Sequence, residues 1–177
     1  MPANTVGLNR RAYRAKRKIQ VLRGFSPTEP TKLSFLAEPD NDPTLIQEGM
    51  ALVLDAGKFR ATEAGDATAA TRVFIALQDG NAHDVIAAGK LVGLDCSDTY
   101  EVETGYYDPA GVYTPGVLLT VAANGLFTVA DGASELIVGV ISANEYTPNL
   151  ISPEAEASAD NAVIRFTTRL TGVRTAS

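Results

Sequence analysis

The sequence is poor in the residues on which most catalytic and metal sites depend. It holds one cysteine, Cys96, and one histidine, His83, among 177 residues. A single cysteine excludes a disulfide within the chain, and one cysteine with one histidine cannot supply a zinc site. A Ser-His-Asp triad would have to use His83, and no G-x-S-x-G motif accompanies it. Paired carboxylates stay open, because nothing in the spacing of the 21 acidic residues singles out a pair. We therefore expect no enzyme activity, no metal and no cofactor.

Long apolar runs are also absent. No run approaches the 18 residues that a membrane-spanning helix needs, and the N-terminal region lacks the apolar core and small-residue cleavage site of a secretory signal. The chain is nevertheless 45% hydrophobic, with 15 glycines and 9 prolines and many valines and threonines. This composition favours strands and turns over helices. We expect a mainly β fold, a small β-barrel or sandwich.

The charges are strongly segregated along the chain. Residues 1–28 hold seven of the 15 basic residues and none of the 21 acidic ones, so this segment carries +7 and the remainder −13. The sequence thus predicts an extended basic N-terminal arm on an acidic body. The arm and a proline-rich linker take up residues 1–43, and the β domain residues 44–177. The linker contains Pro27, Pro30, Pro39 and Pro43, with room for one short strand at Leu33–Leu36.

The arm allows two interpretations. An apolar stripe of Leu8, Ala12, Ala15, Ile19 and Leu22 is typical of an amphipathic helix that ends at Gly24, and this is the preferred interpretation. The alternative is a strand over Lys18–Phe25. In both cases we expect the arm to bind a protein partner. The predicted partner-binding residues are Arg10, Arg11, Arg14, Lys16, Arg17, Lys18, Ile19, Leu22 and Arg23.

Two stretches of the chain are alike, from Gly49 to Asp79 and from Tyr113 to Asn144. Aligned glycines and apolar residues pair Gly49 with Gly116 and Gly57 with Gly125, while Phe59 aligns with Phe127. Residues 73–77 then align with residues 137–141. Each stretch reads as a hairpin with a glycine turn, followed by a third, apolar strand. We therefore expect two similar β-units, about residues 44–81 and 113–145, that bury their apolar faces against each other.

The remaining strands are predicted from shorter patterns. We expect strands at Val85–Ala87, Lys90–Asp95 and Thr99–Glu103, and a final strand over Ala162–Leu170 whose apolar and basic residues alternate.

The repeated units resemble the head decoration, or capsid cement, proteins of tailed bacteriophages. The motifs that carry this resemblance are Gly49-Met50-Ala51-Leu52, Gly57-Lys58-Phe59, Gly116-Val117-Leu118-Leu119 and Val138-Gly139-Val140, within residues 44–145. The resemblance implies a β protein without enzyme activity on the outer surface of the virion. It also implies the major capsid protein as partner and self-association as a homotrimer. The basic arm and the proline-rich linker depart from the compact members of this family.

Three classes of function remain at this point. The first is a virion structural protein that cements a capsid shell. The second is another virion β-module, such as a head fibre base or a tail component. The third is a nucleic-acid-binding protein that uses the basic arm through phosphate contacts. Tyr13 is the single aromatic residue between the basic residues, so a stacking platform for bases is not supported, and we expect neither nucleic acid, a small-molecule substrate nor a membrane as partner.

Overall fold

The computed structural model describes residues 19–23, 34–39, 42–70, 72–131, 134–146 and 162–171. These residues form eleven strands: β1 (Ile19–Arg23), β2 (Ser34–Pro39), β3 (Ala51–Asp55), β4 (Lys58–Ala61), β5 (Phe74–Ala76), β6 (Leu91–Asp95), β7 (Glu101–Thr104), β8 (Leu118–Val121), β9 (Phe127–Val129), β10 (Ile137–Tyr146) and β11 (Val163–Thr171). Two short helices, α1 (Asp66–Ala69) and α2 (His83–Ala88), and 3-10 turns at Pro43–Leu45 and Ala123–Gly125 complete the described secondary structure. The expected mainly β fold is confirmed.

The strands form one closed barrel and one six-stranded sheet. The barrel has the order β2-β4-β3-β5-β6, and it closes through a parallel pairing of β2 with β4. The second sheet has the order β1-β7-β11-β10-β8-β9. Beyond β7, a parallel bridge between Tyr107 and Phe127 connects the chain to β9. The barrel expected from the sequence is therefore present.

The barrel and the second sheet follow the same plan. The barrel order β4-β3-β5-β6-β2 matches the order β9-β8-β10-β11-β7 in the second sheet, and the bridge at Tyr107 stands where β2 pairs with β4. The duplication is therefore larger than the sequence indicated, because it includes β2 with β7 and β6 with β11. We call residues 34–95 the first repeat and residues 101–168 the second repeat.

The register of the strands agrees between the repeats. Phe59 pairs with Leu54 in the first repeat, and Phe127 pairs with Val121 in the second. Both phenylalanines are fully buried, as the sequence alignment predicted. The alignment is off by one residue in the third strand, however. Phe74 of β5 pairs with Leu52 of β3, and Gly139 of β10 pairs with Leu119 of β8. Because Leu52 and Leu119 are equivalent, Phe74 is the counterpart of Gly139.

The hairpin turns of the two repeats share two successive residues with positive φ, although the second turn has one more residue, Ala123. Ala56-Gly57 has φ values of 48° and 84°, and Asn124-Gly125 has φ values of 60° and 71°. Two successive residues with positive φ form the turn that matches the twist of a two-residue hairpin. The turn predicted at Asn124-Gly125 is thus confirmed, and Ala56 adopts the same conformation with a less suitable residue.

One apolar core runs through both repeats. It joins Val53, Ile75 and Leu94 of the barrel with Leu119 and Phe166 of the second sheet, all less than 5% exposed. A second, smaller cluster around Phe59 and Phe74 fills the interior of the barrel. The two repeats therefore bury apolar surface against each other, and this burial is the main driving force for folding.

Two predicted elements are corrected by the structure. Ile19–Arg23 is the strand β1 rather than the end of a helix, because its backbone pairs antiparallel with β7. Tertiary pairing here prevails over an apolar stripe at helical spacing. The strand predicted at Val85–Ala87 is part of the helix α2, in which Val85 alone is buried. Residues 1–18 of the predicted arm lie outside the described residues, and β2 shows that the end of the linker contributes a strand to the barrel.

Candidate interaction surfaces

The predicted partner-binding residues divide into two groups. Ile19, Leu22 and Arg23 lie in β1, whereas Arg10, Arg11, Arg14, Lys16, Arg17 and Lys18 lie outside the described residues. The structure therefore brings the end of the arm onto the body. In the register of β1 and β7, Gln20 lies opposite Glu103 and Arg23 lies opposite Glu101. Arg23, the last basic residue of the arm, thus lies in a strand that pairs with β7, which carries the two acidic residues Glu101 and Glu103.

The acidic strand β7 is also tied to the neighbouring strand. Glu103 is 8% exposed, and it accepts hydrogen bonds from the guanidinium of Arg165 on β11, with an Nε–Oε1 distance of 2.8 Å. A buried carboxylate needs such a partner, since removal of a charge from water is costly. Glu103 therefore holds β7 and β11 together on the side away from β1.

A cleft of about 390 Å³ lies on the first repeat, between β3, β4 and α1. Its centre is Arg60, which donates to both carboxylate oxygens of Asp66 at 2.7 and 3.1 Å and to Asp55 at 3.3 Å. Burial opposes ionisation of Asp66, yet the bonds from Arg60 and from the amide of Glu63 lower its pKa below the usual value. The carboxylate of Asp66 is therefore ionised at neutral pH and bound by Arg60. We interpret this pair in the cleft as a structural ion pair.

Besides Arg60, whose bonds to Asp66 raise its pKa, the described groups with a raised pKa are buried phenols and the one thiol. Burial, with the nearby charge of Asp95, raises the pKa of Cys96 well above its usual range. Burial and then the hydrogen bond to Asp98 raise the pKa of Tyr100 to about 12. Groups that hold their protons this firmly are poor nucleophiles at neutral pH. They stabilise the core rather than offer chemistry.

In the described ranges, no group of three or more His, Cys, Asp or Glu side chains is arranged to hold a metal ion. No helix among the described residues is long and apolar enough to span a membrane.

Exposed apolar side chains mark a candidate docking surface. Three large hydrophobic side chains are exposed in the part of the chain that the structure describes: Leu45 at 64%, Ile86 at 66% and Val112 at 74%. Leu45 and Val112 are separated by 67 residues, which is the separation of β3 from β8 in the aligned registers. They therefore occupy the same position in the two repeats, in the loop before the second strand of each repeat.

The loops present these two side chains in the same way. Each exposed residue is followed by a buried one, Ile46 at 2% and Tyr113 at 3% exposure. Each loop then closes with a turn, in which the amide of Met50 donates to Gln47 O and that of Val117 donates to Thr114 O, both at 3.1 Å. The buried neighbour and the closing turn fix the loop, so the exposed side chain is held rather than free to collapse.

Leu45 and Val112 were not predicted from the sequence. The signal was available, because extending the spacing of 67 residues upstream from Gly49 and Gly116 reaches this pair. Nothing in the sequence alone distinguishes an exposed leucine from a buried one within a short loop, however. The exposure of both members became visible only with the fold.

Comparison with known protein families finds no family model that matches this chain, and comparison with curated proteins finds no match.

Proposed function

We propose that this chain is a virion structural protein that decorates the outer surface of a capsid shell and cements it by binding major capsid protein subunits. The proposal assigns it no catalytic activity. The observation that carries it is the repeated display of an exposed apolar side chain, Leu45 and Val112, by two copies of one barrel plan.

A duplicated surface suits a partner that is itself repeated. A shell presents many copies of one subunit, and a chain with two equivalent docking points can hold two of them at once. Once the first point is bound, the second binds at a raised effective concentration, so weak contacts combine into firm attachment. Burial of a leucine or valine side chain contributes about 1.5–3 kcal/mol. The resemblance of the repeated glycine and apolar motifs to capsid cement proteins supports the same conclusion.

The test is binding of the full chain to assembled capsids from its native source. Bound protein is quantified after gradient sedimentation for the wild type, Leu45→Asp, Val112→Asp and the double variant. Ile86→Asp is the matched control, since Ile86 has a similar exposure but stands outside the duplicated loops. We expect each single variant to weaken binding by about tenfold or more, and the double variant to weaken it further. Full occupancy by the folded double variant would refute the proposal.

Nucleic-acid binding is the second candidate function, favoured by the seven basic residues in residues 1–28. The two hypotheses differ in their response to salt. An arm on duplex DNA loses affinity with a log–log slope of about −0.9 for each phosphate neutralised. Docking through Leu45 and Val112 responds weakly to salt, because apolar contacts are not screened. Retention on duplex DNA that falls steeply with salt and ignores Leu45→Asp would favour the nucleic-acid hypothesis.

A further inference from the structure

The two repeats are joined by hydrogen bonds at two places. At one, the amide of Leu136 donates to Ala67 O at 2.7 Å, and the other uses one face of each repeat. On the first repeat the contacts at this second place use Gln47, Gly49, Met50 and Thr62, which we call the Gly49 face. On the second repeat they use Thr104, Tyr106, Ala122 and Gly125, which we call the Gly125 face. The amide of Gly125 donates to Thr62 O at 3.3 Å, and the hydroxyl of Thr62 donates to Ala122 O at 2.6 Å.

Further contacts tighten this junction. The hydroxyl of Thr104 donates to Gly49 O at 2.9 Å, and the hydroxyl of Tyr106 donates to Gln47 Oε1. A β-carbon on Gly125 would stand 2.8 Å from Cβ of Met50, so the turn of the second repeat is pressed closely against the first. The junction is therefore a fitted contact, and not a mere consequence of chain connectivity.

This contact is not reciprocal. By the register of the repeats, the counterpart of the Gly49 face is Thr114, Gly116, Val117 and Ala130, which we call the Gly116 face. The counterpart of the Gly125 face is Ala37, Pro39, Asp55 and Gly57, which we call the Gly57 face. Neither counterpart takes part in the contacts just described. The repeats thus pack head to tail. The first repeat keeps an unused Gly57 face, and the second repeat keeps an unused Gly116 face.

The burial of the glycines reflects this difference. Gly49 and Gly125 are buried at the junction, whereas their counterparts Gly116 and Gly57 are exposed. A β-carbon built on Gly116 or Gly57 meets no atom of the described residues within 4 Å. Thr114 and Asp55, which flank them, are exposed as well. Asp55 and Gly57 on one face, and Thr114 and Gly116 on the other, are therefore open on the surface of the described chain, whereas Ala37 of the Gly57 face is buried.

We infer that the chain associates with further copies of itself head to tail, with the Gly57 face of one copy docked on the Gly116 face of the next. The occupant follows from the contact inside the chain, in which the equivalent Gly49 and Gly125 faces fit each other. A head-to-tail contact is heterologous, and it generates a closed ring when the rotation closes.

The contact between copies must be weaker than the one inside the chain. The backbone bond from Gly125 to Thr62 can be repeated from Gly57 to Ala130, and Val117 replaces Met50 as the apolar contact. The two threonine bonds cannot be repeated, because Ala130 and Ala37 stand at those positions. We therefore expect self-association that depends on concentration, rather than a permanent assembly.

The test measures the mass of the full chain by sedimentation velocity over a dilution series, without capsids. Ala56→Arg blocks the Gly57 face, and it adds no new backbone strain since Ala56 already carries a β-carbon at φ 48°. Thr114→Arg blocks the Gly116 face at an exposed side chain. Ala87→Arg on α2, also exposed, makes the same change outside both faces and is the control. We expect each blocking variant to raise the dissociation constant by about tenfold or more, with the control unchanged.

Mixing the two blocking variants separates this contact from a two-fold one. Each variant keeps the face that the other has lost, so the mixture should form a dimer that grows no further. Thermal unfolding confirms that both variants are folded. The inference is overturned if the wild type is a monomer at the highest concentration, if either folded variant assembles like the wild type, or if the mixture does not dimerise. It does not depend on capsid binding, so it can fail while the proposed function stands.

Discussion

The two repeats place aromatic rings and glycines at equivalent positions, but in exchanged order. In the first repeat Phe59 packs on Phe74 of β5, with ring centroids 5.1 Å apart, and Gly93 of β6 leaves room for the ring of Phe59. In the second repeat Phe127 packs on Phe166 of β11 at 5.0 Å, and Gly139 of β10 leaves room for Phe166. Each repeat thus contains two packed aromatic rings and one glycine that leaves room for a ring, although different strands supply them.

This packing predicts the effect of adding one methyl group. A β-carbon at Gly93 would lie 2.6 Å from Cζ of Phe59, and one at Gly139 would lie 2.6 Å from Cδ2 of Phe166. Gly93→Ala and Gly139→Ala should each lower the free energy of unfolding by about 1–3 kcal/mol. Gly65→Ala is the control, because its β-carbon meets no atom within 4 Å. The measurement is urea unfolding, and equal stability of all three variants would contradict the packing.

The rings themselves give a second prediction. Phe59 and Phe127 are both fully buried, so Phe59→Ala and Phe127→Ala should each cost about 3–5 kcal/mol through lost contacts and a cavity. Chemical denaturation measures both. If one variant were nearly neutral while the other unfolded, the two positions would not be equivalent in packing.

Tyr113 makes stability sensitive to high pH. Burial and then the charge of Asp108 raise its pKa to about 12, against about 10 in an unfolded chain. The folded state therefore holds the phenol proton of Tyr113 more firmly. The resulting contribution of Tyr113 to the free energy of unfolding is complete below about pH 10 and is lost as pH rises toward 12. Tyr113→Phe should reduce the fall in melting temperature across this window. An unchanged fall would contradict the assigned cause.

At the scale of elements, β1 is the link between the arm and the body. It covers the outer edge of β7, and an exposed strand edge invites pairing with other chains. The apolar stripe from Leu8 to Leu22 favoured a helix in the sequence-based interpretation. The sequence pattern does not show the edge of β7, which forms only when the chain folds. The nine predicted partner-binding residues remain a prediction for the arm.

Removal of β1 should expose that edge. Deletion of residues 1–24 should speed hydrogen exchange of the β7 amides and increase aggregation, whereas deletion of residues 1–18 should do neither. Hydrogen-exchange mass spectrometry of β7 compares the two deletions. If both leave exchange at β7 unchanged, β1 does not protect this edge in solution.

Other elements show which parts of the fold a sequence can predict. The turns at Gly57 and Gly125 and the buried third strands were predictable, since glycine and apolar runs have local causes. The helix α2 was not, because a six-residue helix has little intrinsic stability and forms through the packing of Val85. The equivalence of β6 and β11 could not be seen in the sequence, because dissimilar residues, Gly93 and Phe166, stand at equivalent positions.

At the scale of the whole molecule, the chain is one barrel plan used twice. The two copies share a core, and their head-to-tail junction leaves two faces and two exposed apolar side chains, Leu45 and Val112, on the described surface. In the proposed function the loops hold a repeated partner, and in the inferred assembly the faces hold further copies of the chain. Both proposals suit a coat on a regular shell.

Electron microscopy of capsids from the native source, reconstituted with the full chain, tests the central claim most directly. The account predicts surface density that repeats with the capsid lattice, with two similar lobes for each chain that touch neighbouring capsid subunits through the loops of Leu45 and Val112. The double variant Leu45→Asp/Val112→Asp should lose this density, and Ile86→Asp should keep it. Capsids that carry no density for the wild-type chain, or carry it only inside the shell, would contradict the account.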